Sequence, residues 1–197
     1  MSRSAALTRG KPIFWTFLLG AALMSAVQVT AGAESPPPPS LKDNQGYLLL
    51  STDLNFDAVD IELKRDGGLF HRGLDDLKKG VSHRLIALDA GRYYFRNLTV
   101  GIWGRAYKIS LGEDTTAFEI EPGKINYMGQ LVARHVSGTR FFVRRTNRLT
   151  QVLTWLPENH PTQYRNYELR FAGPYPDPFL ALVKSLESQK AVATEGD

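Results

Sequence analysis

The stretch Phe118-Glu-Ile-Glu-Pro-Gly-Lys-Ile-Asn-Tyr-Met-Gly-Gln-Leu-Val132 carries the clearest fold signal in the chain. On each side of Pro122-Gly123, apolar and polar residues alternate with a period of two, as in a β-strand with one buried face. Proline fixes its own φ and glycine accepts a positive φ, so this dipeptide favours a turn. The stretch therefore predicts a β-hairpin. One face of its second strand is expected to carry Ile125, Tyr127, Gly129 and Leu131, and the other Asn126, Met128 and Gln130.

Further short strands are expected on both sides of this stretch, separated by turn signals such as Asp66-Gly67-Gly68 and Asp89-Ala90-Gly91. Residues 69–81 lack an alternating pattern and are expected to be irregular. Seven or eight short strands with turns at intervals of roughly ten residues predict a mainly β protein, either an antiparallel β-sandwich of prealbumin or Ig-like type or an open barrel. The remaining strands are expected at residues 46–51, 58–65, 83–88, 92–98, 106–111 and 139–145.

Two C-terminal α-helices are predicted, because the spacing of apolar residues changes to that of a helix after Asn147. Thr146 or Asn147 can cap the first helix, and Pro157 and Pro161 limit its length. Asp177-Pro178 begins the second helix as an N-cap followed by proline. Both helices are expected to pack on the sandwich, since short isolated helices are marginally stable in water. Their apolar faces consist of Leu149, Val152, Leu153 and Leu156 in the first helix and Phe179, Leu182, Val183 and Leu186 in the second.

Residues 1–33 have the three zones of a secretory signal peptide. Basic residues come first, the apolar run Ile13–Val27 follows, and Ala31-Gly32-Ala33 supplies the small residues that a signal peptidase accepts. Cleavage is expected after Ala33. The alternative is an uncleaved anchor, but the apolar run is about 15 residues long and a spanning helix needs about 20. The protein is therefore predicted to be exported, to the periplasm or beyond.

The rest of the chain is expected to fall into four parts. Residues 34–45 form a Pro-rich linker, 46–146 the β-sandwich domain, 147–190 a helical extension packed on it, and 191–197 a disordered tail. No second apolar run has spanning length, so no transmembrane segment is expected after cleavage.

The net charge of +4 belongs largely to the signal segment. Removing residues 1–33 removes three basic residues and no acidic one, which leaves 21 basic residues against 20 acidic. A nearly neutral exported domain is not expected to bind nucleic acid. An envelope protein or a glycan is the expected kind of partner.

No sequence motif predicts catalysis. The chain has no cysteine, and its four histidines, His71, His83, His135 and His160, do not have metal-ligand spacing. A nucleophile elbow and a phosphate-binding loop are also missing. We therefore expect no catalytic residue, metal site or cofactor. Two alternatives stay open: a hydrolase whose loop histidines converge with an aspartate, and a carrier with a small-ligand cavity between its sheets.

The strongest concentration of charge consists of arginines near the end of the predicted sandwich, which suggest a patch for an anion or an acidic partner. Strand alternation divides this cluster, because Arg140 and Arg144 face away from Arg145. The candidate patch residues are Arg134, Arg140, Arg144, Arg145 and Arg148.

Two motifs also suggest a relationship. Leu88-Asp89-Ala90-Gly91-Arg92-Tyr93-Tyr94 followed by the stretch 118–131 resembles bacterial secreted or lipoprotein-type domains of unknown function that have a prealbumin-like, carboxypeptidase-regulatory-like β-sandwich. The resemblance covers roughly residues 45–145 and implies an envelope location without catalysis. This chain lacks the lipid-accepting cysteine of the lipoprotein members. The predicted function is that of an exported, non-catalytic binding or structural module of the bacterial envelope.

Overall fold

A computed structural model of the protein describes residues 38–69, 71–102, 104–173 and 177–194. Within these residues ten strands form two five-stranded sheets that pack face to face, which confirms the predicted mainly β, sandwich-like architecture. The predicted signal peptide, with its cleavage residues Ala31 and Ala33, lies outside them. The first strand begins at Gln45, next to the expected linker boundary.

Sheet A has the strand order β10-β8-β1-β4, and β9 pairs with the second half of β8. Strands β1 and β10 run parallel to β8, so the prediction of a wholly antiparallel sandwich is wrong. Neighbours must be antiparallel only when a short loop joins them, and long stretches of chain separate these pairs. The strands are β1 (Gln45–Leu54), β4 (Gly80–Asp89), β8 (Lys124–Ser137), β9 (Arg140–Thr146) and β10 (Glu168–Phe171).

Sheet B is antiparallel throughout, with the order β3-β2-β5-β6 and with β7 paired to the start of β5. Strand β3 lies in the region that we expected to be irregular. Its pattern is hidden because only Leu74 and Leu77 are buried on this charged edge strand. The strands are β2 (Ala58–Arg65), β3 (His71–Leu77), β5 (Gly91–Ile102), β6 (Arg105–Ser110) and β7 (Phe118–Ile120).

The predicted hairpin at residues 118–132 is wrong, although both of its strands and its turn exist. Strand β7 pairs with β5 in sheet B, whereas β8 pairs with β1 in sheet A. The segment Glu121–Gly123, which we call the crossover, carries the chain from one sheet to the other. Gly123 has a φ of +67°, as the turn requires, and its N–H donates to the Gln45 carbonyl at 2.8 Å.

Asn126 fastens the crossover with its fully buried side chain. Its Oδ1 accepts the Glu121 N–H at 3.1 Å. Its Nδ2 donates to the carbonyls of Glu121 at 3.1 Å, Lys124 at 3.2 Å and Tyr47 at 3.2 Å. The amide thus satisfies the backbone groups that a hairpin partner would have satisfied. Gly46 permits this approach, because a Cβ there would lie 2.2 Å from the Glu121 carbonyl oxygen.

The side chains of β8 change face at Gly129. This residue has a φ of +101°, and the pairing of β8 with β1 shifts by one residue beside it, which is a β-bulge. Ile125 and Tyr127 therefore point toward the helices, while Leu131 points between the sheets. The prediction that these three residues share one face is wrong, because period-two alternation assumes an unbroken pleat.

Four helices occur in the described residues, and the two longer ones match the predicted pair. Asn147 Oδ1 accepts the Leu149 N–H at 3.0 Å at the start of the first predicted helix, which ends between Pro157 and Pro161. The two short helices have too few residues for an apolar period to show. The helices are α1 (Glu113–Thr116), α2 (Leu149–Asn159), α3 (Pro161–Asn166) and α4 (Pro178–Thr194).

Helix α4 contacts the domain differently from the prediction. Leu180 is buried against sheet A, whereas Phe179, Leu182 and Leu186 of the predicted apolar stripe are 41%, 54% and 54% exposed. The helix includes residues 191–194, which were expected to belong to the disordered tail, and residues 195–197 lie outside the described part. Among the described residues, no helix has the length and apolarity needed to cross a membrane.

Two layers of buried side chains hold the fold together. One lies between the sheets and the other between sheet A and the helices. Sheet A is therefore buried on both faces, which explains the continuous apolar run at the start of β1. The largest fully buried side chains are Leu48, Leu50, Ile61, Leu77, Phe95, Leu98, Ile120 and Met128 between the sheets and Tyr47, Leu49, Ile125 and Tyr127 under the helices.

Candidate functional site

A cleft opens at one side edge of the sandwich, between β9 of sheet A and the end of β6 with α1. We call it the edge cleft. Its volume is about 720 Å³, and small-molecule sites typically have roughly 300–1,000 Å³. The cleft is lined by residues 110–112, 114–116 and 143–147 together with Leu131, Phe171, Asp177 and Pro178.

Side-chain hydrogen bonds fix two walls of the edge cleft. On the α1 side, the buried Thr116 hydroxyl accepts the Phe95 N–H at 3.2 Å and donates to the Phe95 carbonyl at 2.9 Å. On the α4 side, Asp177 accepts the Phe179 N–H at 2.9 Å and the Asn147 amide at 2.5 Å. Asp177 therefore caps α4, as predicted. The cleft is a preformed feature of the fold.

Arg145 is the basic side chain that β9 directs toward the sandwich interior. It lies opposite Leu131 in the strand register, and its Nη1 donates to the Ala117 carbonyl at 2.9 Å. Burial lowers the pKa of the guanidinium below its ordinary value, yet arginine stays charged in proteins. Among the described residues no carboxylate forms an ion pair with Arg145. The edge cleft thus contains a partly buried cation without a described counter-ion.

The β-bulge positions this cation. A Cβ added at Gly129 would lie 3.0 Å from Cγ and 3.3 Å from Cδ of Arg145, so the arginine stem lies directly over the glycine. The guanidinium bond to Ala117 then anchors the other end of the side chain. Gly129, within the stretch that decides the fold, therefore holds the stem of Arg145, and Ala117, which directly precedes that stretch, holds its guanidinium.

Two of the other candidate arginines have local partners. Arg134 forms an ion pair with Asp53 at 2.6 Å, and it also donates to the Asp53 backbone carbonyl. Arg140 donates to the Ser137 hydroxyl at 2.8 Å. Neither residue lines the edge cleft.

Arg144 and Arg148 are exposed. The Arg144 guanidinium lies 5.7 Å from the Phe142 ring centroid on the outer face of β9, and Arg148 contributes its backbone N–H to the Tyr127 hydroxyl at 3.1 Å. Arg144 and Arg145 both line the cleft, but their side chains leave β9 on opposite faces. The five arginines therefore occupy different environments, and strand alternation indicated the division between Arg144 and Arg145.

His71 forms the contact that most resembles catalytic machinery. Its Nε2 lies 3.1 Å from Glu62 Oε1, and Glu62 is 8% exposed on the outer face of sheet B. The hydrogen bond from Asn97, followed by the charges of His71 and Arg96, lowers the pKa of Glu62. Among the described residues no hydroxyl forms a hydrogen bond with His71, and no three potential ligands lie close enough to hold a metal ion.

Four buried polar atoms without a described partner lie in one row across sheet A. The strand register places His83 of β4 opposite Ser51 of β1, Ser51 beside Gln130 of β8, and Gln130 opposite Thr146 of β9. Because paired residues share a face, all four side chains lie on the helix side of the sheet. The row therefore forms a polar strip within the layer between sheet A and the helices.

Trp155 of α2 covers one end of this polar row. Its ring centroid lies 5.0 Å from that of His83 and 5.1 Å from that of His160. Burial lowers the pKa of both histidines. Burial disfavours the charged form of each imidazole, so both are mostly neutral at neutral pH.

Sequence reasoning found Arg145 but not the cleft around it. Leu111, Leu131 and Phe171 reach the cleft from three strand regions that are far apart in the sequence. No spacing in the sequence links them, because their proximity depends on the crossover and on parallel β10, both of which were missed.

No known protein family and no curated protein matches the sequence. The resemblance to prealbumin-like envelope domains therefore stays a prediction.

Proposed function

We propose that the protein is an exported, non-catalytic binding module of the bacterial envelope that holds a ligand in the edge cleft. The observation that carries this proposal is the edge cleft itself, about 720 Å³ in volume. Interior residues such as Leu131 and Val143 line it, and a cation without a described counter-ion lies among them. Binding sites typically combine an apolar lining with a few placed polar groups.

Export rests on the three-zone signal segment at residues 1–33. The resemblance of residues 45–145 to prealbumin-like secreted domains supports the same location. Fractionation of cells that express the full chain tests it. The mature protein is expected outside the cytoplasm, with an N-terminus at Glu34, and retention of the unprocessed chain in the cytoplasm would overturn this part.

Binding is tested by isolating the mature protein from the exported fraction and identifying small molecules released on denaturation by mass spectrometry. Val143→Phe fills the edge cleft, and Val136→Phe makes the same change at a side chain that is 62% exposed. A compound should accompany the wild type and Val136→Phe but not Val143→Phe. An identical set of compounds from all three proteins, or none from any, would contradict binding in the cleft.

A second candidate function is hydrolysis, which is favoured by the contact between His71 and the nearly buried Glu62. A histidine oriented by a carboxylate can act as a general base. Hydrolysis of p-nitrophenyl acetate by the wild type and His71→Asn distinguishes the two functions. Equal background rates support the binding module, and a rate that falls at least tenfold in His71→Asn supports the enzyme.

A further inference from the structure

We propose that the edge cleft is selective for a small organic monocarboxylate with an apolar body, bound through the Arg145 guanidinium. This inference rests on the proposed binding function and adds the chemical class of the ligand.

The head group follows from the free donors of Arg145. A guanidinium carries five N–H donors in a planar fork that matches the two oxygens of a carboxylate. One donor is bound to the Ala117 carbonyl at 2.9 Å, and no other acceptor is described for this side chain. Partial burial strengthens a charge-assisted hydrogen bond, because water competes with it less.

The other charges of the cleft favour a single negative charge. Asp114 and Asp177 also line it. Both oxygens of Asp177 accept hydrogen bonds within the protein, and Asp114 is exposed on α1. Arg144 also lines the cleft, but its side chain is exposed on the outer face of β9, so Arg145 is the lining cation that points inward. One inward guanidinium balances a monocarboxylate, whereas a dianionic phosphate would keep an unbalanced charge near two carboxylates.

The body of the ligand follows from the remaining lining. Leu111 and Leu131 are buried residues of the inter-sheet core, and Val143 packs against that core. Phe171 also lines the cleft, and its ring packs against Tyr127 on the helix side of sheet A. An alkyl or aryl group would bury apolar surface against these side chains. An amphipathic monocarboxylate therefore matches both parts of the cleft.

Isothermal titration calorimetry of the mature protein with octanoate, 1-octanol and octyl phosphate tests the head group. Octanoate should bind at least about tenfold more tightly than 1-octanol, since a hydrogen-bonded charge is worth about that factor. If 1-octanol or octyl phosphate binds as tightly as octanoate, carboxylate selectivity is overturned while a cleft that binds ligands stands. If none of the three probes binds, the inference is overturned, and the co-purification experiment decides separately whether the proposed function stands.

Variants of Arg145 test whether this residue binds the carboxylate. Arg145→Met keeps the stem over Gly129 and should weaken octanoate binding at least about tenfold without changing 1-octanol binding. Arg140→Met is the matched control, because Arg140 is exposed on the same strand and does not line the edge cleft; this variant should bind octanoate like the wild type. Arg145→Lys keeps the positive charge but not the planar guanidinium, so it should lose an intermediate amount of octanoate affinity. This variant provides the test if Arg145→Met does not fold. Equal octanoate affinity in wild type, Arg145→Lys and any folded Arg145→Met would overturn the assignment of Arg145.

Discussion

Replacing Asn126 by alanine should destabilise the domain strongly, because this one amide holds the crossover between the sheets. The change removes the acceptor of the Glu121 N–H and the donor to three backbone carbonyls. A hydrogen bond contributes about 1 kcal/mol net, and a buried group left unpaired costs about 1–3 kcal/mol. Two lost bonds to Glu121 and an orphaned N–H therefore give a loss of about 3–5 kcal/mol from a total stability of roughly 5–15 kcal/mol.

Urea unfolding followed by circular dichroism measures this loss. Asn55→Ala is the matched control, because the Asn55 side chain makes the same two-way contact with the His135 backbone, at 2.7 and 3.1 Å, but is exposed. Water can replace that contact, so the control should lose less than about 1 kcal/mol. If Asn126→Ala costs no more than Asn55→Ala, the explanation of the crossover is wrong.

Three further changes test the packing around sheet A. Gly46→Ala should cost about 3 kcal/mol or more in urea unfolding, because its Cβ meets a backbone oxygen; a loss under about 0.5 kcal/mol would contradict the close approach. His83 and His160 have lowered pKa values, so the stability they contribute is complete above their unfolded pKa of about 6.5 and is lost as pH falls. Urea midpoints at pH 7.5 and 5.5 should differ less in a His83→Gln/His160→Gln variant than in the wild type, and an equal difference would refute this. Burial raises the pKa of Tyr127 to about 12, so the stability that its neutral form contributes is lost only as pH rises above 10. An alkaline absorbance titration of the wild type should show a tyrosine that ionises near pH 12, and this step should be missing in Tyr127→Phe. A wild-type titration without that step would contradict the burial of the hydroxyl.

The sequence predicted the positions of strands and helices more reliably than it predicted which strands pair with one another. Alternation located β2 at residues 58–65 and the two strands on either side of Pro122-Gly123, because a pleated strand with one buried face imposes that pattern locally. It could not show that Asn126 would take the place of a hairpin partner. That contact joins one side chain to the backbone, so it does not show in the spacing of apolar residues along the sequence.

The candidate site was likewise predicted in its local features but not in the contacts between distant segments. Alternation separated Arg145 from Arg144, since successive side chains of a strand leave on opposite faces. The cleft that Arg145 enters forms where β9, α1 and β10 meet. That meeting depends on parallel pairing between distant segments, so Phe171 and Leu111 gave no signal in the sequence.

Methyl NMR of the mature protein during titration with octanoate tests most directly that the edge cleft is a ligand site. We predict shift changes at the methyl groups of Leu111, Leu131 and Val143, and their loss in Arg145→Met. Octanoate that leaves these three residues unchanged, or shifts them equally in wild type and Arg145→Met, would contradict the account.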